Sequence, residues 1–590
     1  MNNTFRQILV RLLQFMLLGW INGGLTQAQT LDKVSPPNQN IFTPRPKPTP
    51  IFEPNLKPIK PQEPLNPSIP KSPQPPEILP DNREDTIVVK RFKVEGSTVF
   101  SPEELEKVTK DFTGINVTYT DLLKARSAVT KLYFKNGYET SGAFIPEQDI
   151  EAEVVKIQVI EGELEGKIEV QGNRRLGREY IRSRLASATS KPLNLNRLQE
   201  ALRLLRLSPL VKDISAELST GSTPAKSFLQ VRIKEADTFS IQTSTDNGRS
   251  PSVGSFRRRL QVREANLLGG IGDDLVLGYA NTDGSNSVDL SYTFPLNPKN
   301  AYFRFSYGTT SSNVIEPPFK KLDIEADSRY YEITLRQPII QTATQQSANE
   351  FAIGLTASRL ESETSLLSIP FPLSAGADDE GRTRVSALRF FQEWTQRNNV
   401  EVIALRSQFS LGLGGVLNST INSNAPDSRF FAWRGQAQWV RRFPTSDILL
   451  SVSGNVQLAD RTLLGLEQFA LGGQESIRGY RQDALLADNG AFISAEVELP
   501  IYRTSNRKNV LQLIPFIDIG TVWNNSIRAS PNRDALASET LASVGLGLQW
   551  RGSNNLTARI DWGIPLISIP EERRTWQEQG LYFSVQYNPF

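Results

Sequence analysis

The spacing of apolar residues changes character near residue 237. Upstream, from about residue 86, helical and strand periods alternate in two short modules. Downstream, a period of two runs to the end of the chain. The first module opens with a strand at Ile87–Val94 that stops at Gly96. Ser101-Pro102-Glu103-Glu104 predicts a helix start: a serine cap and a glutamate three residues on satisfy each other's backbone N–H groups, and proline suits the first helical position. Thr120-Asp121 predicts a second start. Leu122, Ala125, Val129, Leu132 and Tyr133 then share one helical face, and Gly137 supplies the stop. Strands follow around Thr140–Ile145 and at Ala152–Ile160, where Val155, Ile157 and Val159 alternate with polar residues. The order is β-α-α-β-β.

The second module repeats it. Ile168-Glu169-Val170-Gln171-Gly172 matches Phe92-Lys93-Val94-Glu95-Gly96. Helices are predicted at Arg178–Leu185 and Leu195–Leu207, the latter with Leu198, Leu202 and Leu205 on its core face, and strands at Ile214–Ser219 and Ser227–Lys234. A strand-glycine match followed by the same element order indicates a tandem duplication.

Beyond residue 237 the segments alternate cleanly. Phe303, Phe305 and Tyr307 share a face; Tyr331, Ile333 and Leu335 alternate with Glu332, Thr334 and Arg336. Ile493, Ala495, Val497 and Leu499 alternate with Ser494, Glu496 and Glu498, and Leu556, Ala558, Ile560 and Trp562 with Thr557, Arg559 and Asp561. Asp246-Asn247-Gly248, Asp283-Gly284-Ser285 and Asp488-Asn489-Gly490 mark turns.

Composition narrows the function. The chain has no cysteine and no histidine, which excludes disulfides, thiolate and imidazole metal sites, and every nucleophile–histidine catalytic arrangement. Lys+Arg 66 against Asp+Glu 63 leaves +3, too little to steer nucleic acid. With no paired-carboxylate motif either, no catalytic residue, metal or cofactor is expected. The N-terminus reads as a signal peptide over residues 1–28: Arg6 and Arg11, an apolar core at 15–21, and small residues before Gln29. Residues 29–85 read as a linker; 16 of the 37 prolines lie between Pro36 and Pro80, where they exclude helix and sheet and favour an extended spacer.

A soluble sandwich also has a period of two. The exported start, the length of the patterned region and strands near the ~9–11 residues that cross a bilayer favour a transmembrane barrel. At roughly 20–24 residues per strand and connection, it holds about 16 antiparallel strands. The expected fold class is therefore an all-β transmembrane barrel, 237–590, behind two small α/β modules, 86–161 and 162–236.

Two motifs carry a family resemblance. Leu471-Gly472-Gly473-Gln474-Glu475-Ser476-Ile477-Arg478-Gly479-Tyr480 resembles the Val-Arg-Gly-Tyr loop of the two-partner secretion transporters, the haemolysin/haemagglutinin secretion-activation family, with Ile477 in the valine position. Phe516-Ile517-Asp518-Ile519-Gly520 resembles that family's Phe-x-Asp-x-Gly on a later strand. The resemblance implies two periplasmic POTRA modules, a 16-stranded outer-membrane barrel, and an inward-folded loop near 471–480. Ile477, Arg478, Gly479 and Tyr480 would form its latch against Phe516, Asp518 and Gly520. Arg478 and an inward Asp518 at about 4 Å would have roughly 4 kcal/mol of gross Coulomb attraction at an effective dielectric near 20.

Without histidine, cysteine or a paired-carboxylate motif, no enzyme activity is expected. The resemblance points to protein export: an unfolded partner, a large exported β-helical cargo protein, is captured by the POTRA modules and passed through the barrel. Outer-membrane lipid, periplasmic chaperones and the barrel-assembly machinery are the other expected partners, and no nucleic acid. For capture, the strand Ile214–Leu218 would offer an edge, with Ile214, Ser215, Glu217 and Leu218 as candidate positions and Ser215 or Glu217 presenting an outward N–H. A barrel-assembly factor and a passive porin remain as alternatives; two modules rather than more speak against the first, and the modules and loop against the second.

Three features take ordinary readings. Gly269-Gly270-Ile271-Gly272-Asp273-Asp274 lacks the Lys-Ser/Thr of a phosphate loop and reads as a turn. Asp378-Asp379-Glu380 reads as a solvated loop, and Arg257-Arg258-Arg259 as lumen- or headgroup-facing. The terminus Asn588-Pro589-Phe590 departs from the usual barrel ending, because an asparagine occupies the position two before the final Phe.

Overall fold

The computed structural model describes residues 86–589, apart from 224, 424–425, 506–508, 526–537, 553–554 and 570–573. The expected signal peptide, the Pro-rich linker and Phe590 lie outside the described residues.

Helix α1 (Pro102–Thr109) starts on the Ser101/Glu104 capping box that the sequence spells out. Helix α2 (Tyr119–Lys135) starts two residues earlier than Thr120-Asp121 suggests, because Thr118 is the cap and Asp121 its reciprocal partner: Asp121 N–H donates to Thr118 Oγ1 at 3.3 Å, and Thr118 N–H to Asp121 Oδ2 at 3.2 Å. Its buried face is Leu122, Ala125, Val129 and Tyr133, packed over a sheet in which Arg91–Glu95 runs parallel to Val154–Ile160 and Gly142–Phe144 antiparallel to it. One strand goes beyond the expected order: Gly114–Val117 pairs with Ile87–Val89.

Helices α3 (Arg178–Ala186) and α4 (Leu195–Arg206) cover a second sheet. Its strand Lys226–Glu235 is flanked by Glu169–Gln171 on one side and by Val211–Thr220 on the other. Each module has its own apolar core; Leu198, Leu202 and Leu205 are all buried in the second. The repeated glycines are equivalent in space. A Cβ on Gly96 would meet the carbonyl of Val159, and one on Gly172 the carbonyl of Ile233, each on the parallel partner strand.

The modules meet end to end. Asn194 Nδ2 donates to Asn136 O at 2.9 Å and Leu195 N–H to Gly137 O at 2.8 Å, so the carbonyl end of α2 faces the N–H end of α4. The second module is seated on one rim of the barrel. Arg175 donates to Thr238 Oγ1 at 2.8 Å, to Glu264 Oε1 at 2.8 Å and to Asn266 O at 3.0 Å. Gly177 N–H donates to Gly270 O at 3.1 Å, so the glycine-rich 269–274 segment is the turn on which the module rests. Glu235 ties that corner together. Burial opposes its charge, but backbone N–H groups of Arg174, Leu176 and Arg175 hold its carboxyl below the usual range.

Among the described residues, sixteen antiparallel strands from Phe239–Asp246 to Leu581–Tyr587 close into a barrel, and the two-residue piece Ile369–Pro370 adds to one of them. The barrel is inside-out relative to a soluble protein. Ile333, Leu335, Ile517, Ile519, Ile560 and Trp562 are exposed on its outer face, while Glu332, Arg389, Glu393, Asp518 and Asp561 are buried on its inner face. Such an apolar belt suits lipid and excludes the sandwich reading. No helix among the described residues is long and apolar enough to cross a membrane; the crossing is by strands.

Candidate functional site

The connection between strands Ile448–Ala459 and Asn489–Arg503 leaves the rim opposite the modules and folds back into the lumen. Within it Phe469–Leu471 and Leu485–Ala487 pair as a short hairpin. Leu471, Ile477, Tyr480 and Leu485 pack on Val522 and Leu541 of the inner wall.

Arg478 lies at the turn beyond this hairpin and is almost fully buried. Its Nε donates to Asp518 Oδ2 at 2.8 Å, its Nη2 to Asp518 Oδ1 at 2.7 Å, and its backbone N–H to Asp518 Oδ2 at 3.1 Å. Nη1 reaches Glu496 Oε2 at 3.0 Å, and the guanidinium lies 3.5 Å from the centroid of the Phe516 ring. Asp518 has no exposed surface, and Ser494 Oγ is its remaining donor, at 2.6 Å. Three of the four hydrogen bonds satisfying this carboxylate therefore come from one loop residue. Arg559 bridges Glu496 at 2.9 Å and Asp561 at 2.8 Å, so two cations and three carboxylates share the site. A cavity of about 370 Å³ adjoins it, lined by Arg478, Glu496, Arg559 and Asp561.

The other motif residues clear space. Gly479 has φ +103°, and its N–H donates to the Tyr582 hydroxyl at 3.1 Å. The facing Gly563 is equally constrained: a Cβ there would sit 2.6 Å from Gly479 N and 2.7 Å from Arg478 C. Gly520 leaves room for Leu471, whose Cδ1 would be 2.8 Å from an added Cβ. Tyr480 donates its hydroxyl to Ile567 O at 2.8 Å and Ala542 O at 2.9 Å. Phe516, Asp518 and Gly520 are buried in alternation with the exposed Ile517 and Ile519, the pattern that puts all three on the lumen side.

At the proposed capture edge the placement differs in one respect. Val211–Thr220 is an edge strand, and Ile214 and Leu218 are buried while Ser215 and Glu217 are exposed. The outward backbone groups belong to the other phase. Ile214 N–H donates to Asp213 Oδ1 at 2.9 Å and Ile214 O accepts from Arg206 Nη2 at 3.1 Å, so neither serves the ladder. By alternation Ala216 and Leu218 also face outward, while Ser215 and Glu217 pair inward opposite Arg232 and Gln230. A bulge at Val211/Asp213 sets this phase, which side-chain alternation does not reveal.

The sequence motifs leave out Glu496, Arg559, Asp561, Gly563 and Tyr582. For Glu496, Arg559 and Asp561 the signal is the polar phase of strands already recognised, but nothing in one strand's pattern says which residues face each other across a lumen. Asp378 and Glu380 both pair with Arg382 in their loop. Arg257 pairs with Asp246 at 3.1 Å and Arg258 with Asp283 at 2.6 Å.

Comparison with known proteins agrees with this architecture. Residues 87–162 match the ShlB-type POTRA domain. The chain is 24% identical over 502 residues to the heme/hemopexin transporter protein HuxB of Haemophilus influenzae, covering 80% of this chain and 83% of HuxB. It is 21% identical over 407 residues to the outer membrane transporter CdiB of Dickeya dadantii, covering 67% and 69%. Among solved structures, CdiB from Escherichia coli superposes with a TM-score of 0.63 at 19% identity, covering 89% of this chain and 94% of that one. CdiB from Acinetobacter baumannii gives 0.60 at 17%, covering 90% and 95%. Residues 225–550, more than half the chain, match the haemolysin secretion/activation protein family ShlB/FhaC/HecB. The chain belongs to that family, the outer-membrane transporters that export a partner protein in two-partner secretion.

Proposed function

We propose that this translocase captures an unfolded, exported β-helical protein on its periplasmic modules and passes it through the barrel lumen, with the loop of residues 460–488 as a latched plug. We place the functional boundaries at 86–161 and 162–236 for the modules and 237–590 for the barrel. The observation that carries the reading is Asp518: a fully buried carboxylate whose hydrogen bonds come mostly from Arg478, a residue on a loop lying across the lumen. A wall built this way favours one seated state of the loop. Displacing the loop exposes groups that water and a passing polar backbone can satisfy.

Capture is assigned to the Ala216–Leu218 edge, where backbone pairing tolerates many cargo sequences. A cavity of about 1470 Å³ supports a route onward. It lies between the second module and the barrel mouth, with Leu204 and Pro209 on one wall and Tyr302 and Arg336 on the other. Binding at the edge should be weak, since ordering an extended chain costs about 1–2 kcal/mol of backbone entropy per residue fixed.

The test pairs the full-length transporter with its exported partner and follows cargo at the cell surface. Surface cargo is expected only when the transporter is present. Ala216→Pro should lower capture of the cargo's unfolded N-terminus by the purified full chain about tenfold or more, because it removes one outward donor without touching the inward ladder. Unchanged affinity with both modules folded would move capture to another surface.

A further inference from the structure

The plug loop is held at a second place, on another part of the wall five strands away and with the charges reversed. Here the loop supplies the carboxylate and the wall supplies the cation. Arg389, on strand Arg382–Asn398, donates from Nη2 to Glu467 Oε1 at 2.6 Å and from Nη1 to Glu467 Oε2 at 3.1 Å, a bidentate fork. Both side chains are buried, at 8% and 10% exposure. The wall orients the arginine before the loop arrives: Nε donates to Ser358 Oγ at 3.1 Å and Nη1 to Ser410 Oγ at 3.1 Å, from the strands on either side.

The loop carries Glu467 in a fixed pose. Glu467 N–H donates to Leu464 O at 2.8 Å, and Gln457 Nε2 donates to Glu467 O at 2.9 Å. Leu463 and Leu464 are buried against Leu360, Val385 and Phe430 of the same wall. The apolar contacts of this limb and those of the Arg478 hairpin belong to separate clusters.

We propose that Arg389 and Glu467 form a second latch that holds the first limb, residues 460–468, independently of the Arg478–Asp518 latch. With both closed, the loop is fastened to two separate sectors of the wall. Release of Arg478 frees the hairpin 469–487 to swing, while Glu467 keeps the limb against its wall. Full opening requires the second pair to part as well. Arg389 is a positioning residue in this scheme, acting through the limb. The proposal rests on the reading that the loop is the movable plug, and it deepens that reading by dividing the loop into two separately held parts.

The chain has no native cysteine, so single reporter thiols are unambiguous. Leu471→Cys reports on the hairpin and Leu464→Cys on the limb; both positions are buried in the seated loop. The full-length protein in outer-membrane vesicles is treated with a membrane-impermeant maleimide. In the Arg478→Ala background, the thiol at 471 should label at least about tenfold faster and the thiol at 464 at the unaltered rate. In the Arg389→Gln background the thiol at 464 should accelerate by a similar factor, since a buried carboxylate stripped of its partner disfavours the seated state. Glu467→Gln repeats this test with the barrel wall intact.

The exchange Arg389→Glu with Glu467→Arg should restore part of the protection at 464, limited by the new carboxylate's proximity to Glu332, whereas a merely steric role would restore none. Fast labelling at 464 in the Arg478→Ala background, or full protection at 464 in both single variants of the pair, overturns the proposal. These rates read loop seating and not export, so they distinguish failure of the second latch from failure of the export reading.

Discussion

Arg478→Ala is expected to reduce export of the partner by at least about tenfold while the barrel still inserts and keeps its heat-resistant compact form. The substitution leaves Asp518 with Ser494 as its one remaining donor, and Glu496 with Arg559. Removing one member of a buried pair typically costs about 3–5 kcal/mol, because the other charge stays behind. That penalty falls on the seated loop and not on the sixteen-strand ladder, so the plug loses its position before the barrel loses its fold. An unseated loop samples the lumen and obstructs the path it normally clears.

The surroundings also predict how rescue fails. An Arg478→Asp and Asp518→Arg exchange restores one pair but brings the new carboxylate to the place now facing Glu496 at 3.0 Å and Asp561 at 4.0 Å. Little recovery is expected from it. Arg478→Lys should be intermediate, since an ammonium keeps the charge but lacks the fork that reaches Asp518 and Glu496 together. Export measured by surface-exposed cargo, beside electrophoretic mobility of unheated and heated protein, separates these effects. Normal export by Arg478→Ala would remove the latch from the transport cycle.

Gly563→Ala should be about as severe, although it alters no charge and lies outside both sequence motifs. The added Cβ would stand 2.6 Å from Gly479 N and 2.7 Å from Arg478 C, and both atoms are backbone. Backbone cannot rotate away as a flexible side chain can, so the loop must lift from the wall. Lifting it breaks the 3.1 Å bond between Gly479 N–H and the Tyr582 hydroxyl and misaligns a fork that depends on distances of 2.7 and 2.8 Å. Gly563→Ala should thus reproduce the export defect with every charged residue in place. If it exports normally, the close approach of loop and strand at this point carries no function.

Much of this site follows from patterns a single sequence displays. The switch from helical spacing to strict alternation near residue 237 separates modules from barrel, because a lipid-facing strand must expose its apolar residues in every second position. Ser101 and Glu104 mark a helix start for a local chemical reason, and so do Thr118 and Asp121, although Thr120 looks equally suitable until the reciprocal bonds are seen. The strand Gly114–Val117 has no such signal: Ile115 is exposed and Val117 is its one buried residue. The pairing of Arg478 with Asp518 is legible from family resemblance.

The rest depends on closure of the barrel. Arg559 and Asp561 are visible as inward polar positions, yet their meeting with Glu496 requires knowing that two non-neighbouring strands face one lumen. Arg389 and Glu467 lie far apart in sequence and in no motif, so only the fold brings them together. The outward phase of the Ala216 edge depends on a bulge five residues upstream of it, which alternation of side chains does not record.

For cargo to cross the lumen the loop now occupies, the loop has to leave its seat. Gly248, in the first connection on the far rim, lies beside the loop tip: a Cβ there would be 2.7 Å from Gln474 Oε1. In a chain without native cysteine, Gly248→Cys with Gln474→Cys creates one pair that a disulfide or a short thiol cross-linker can join. Export of the partner is measured with the pair joined, then after reduction, beside each single variant. Arrest when joined, recovery on reduction and unaffected single variants are the predicted result; export at the same rate with the loop tethered would contradict the account.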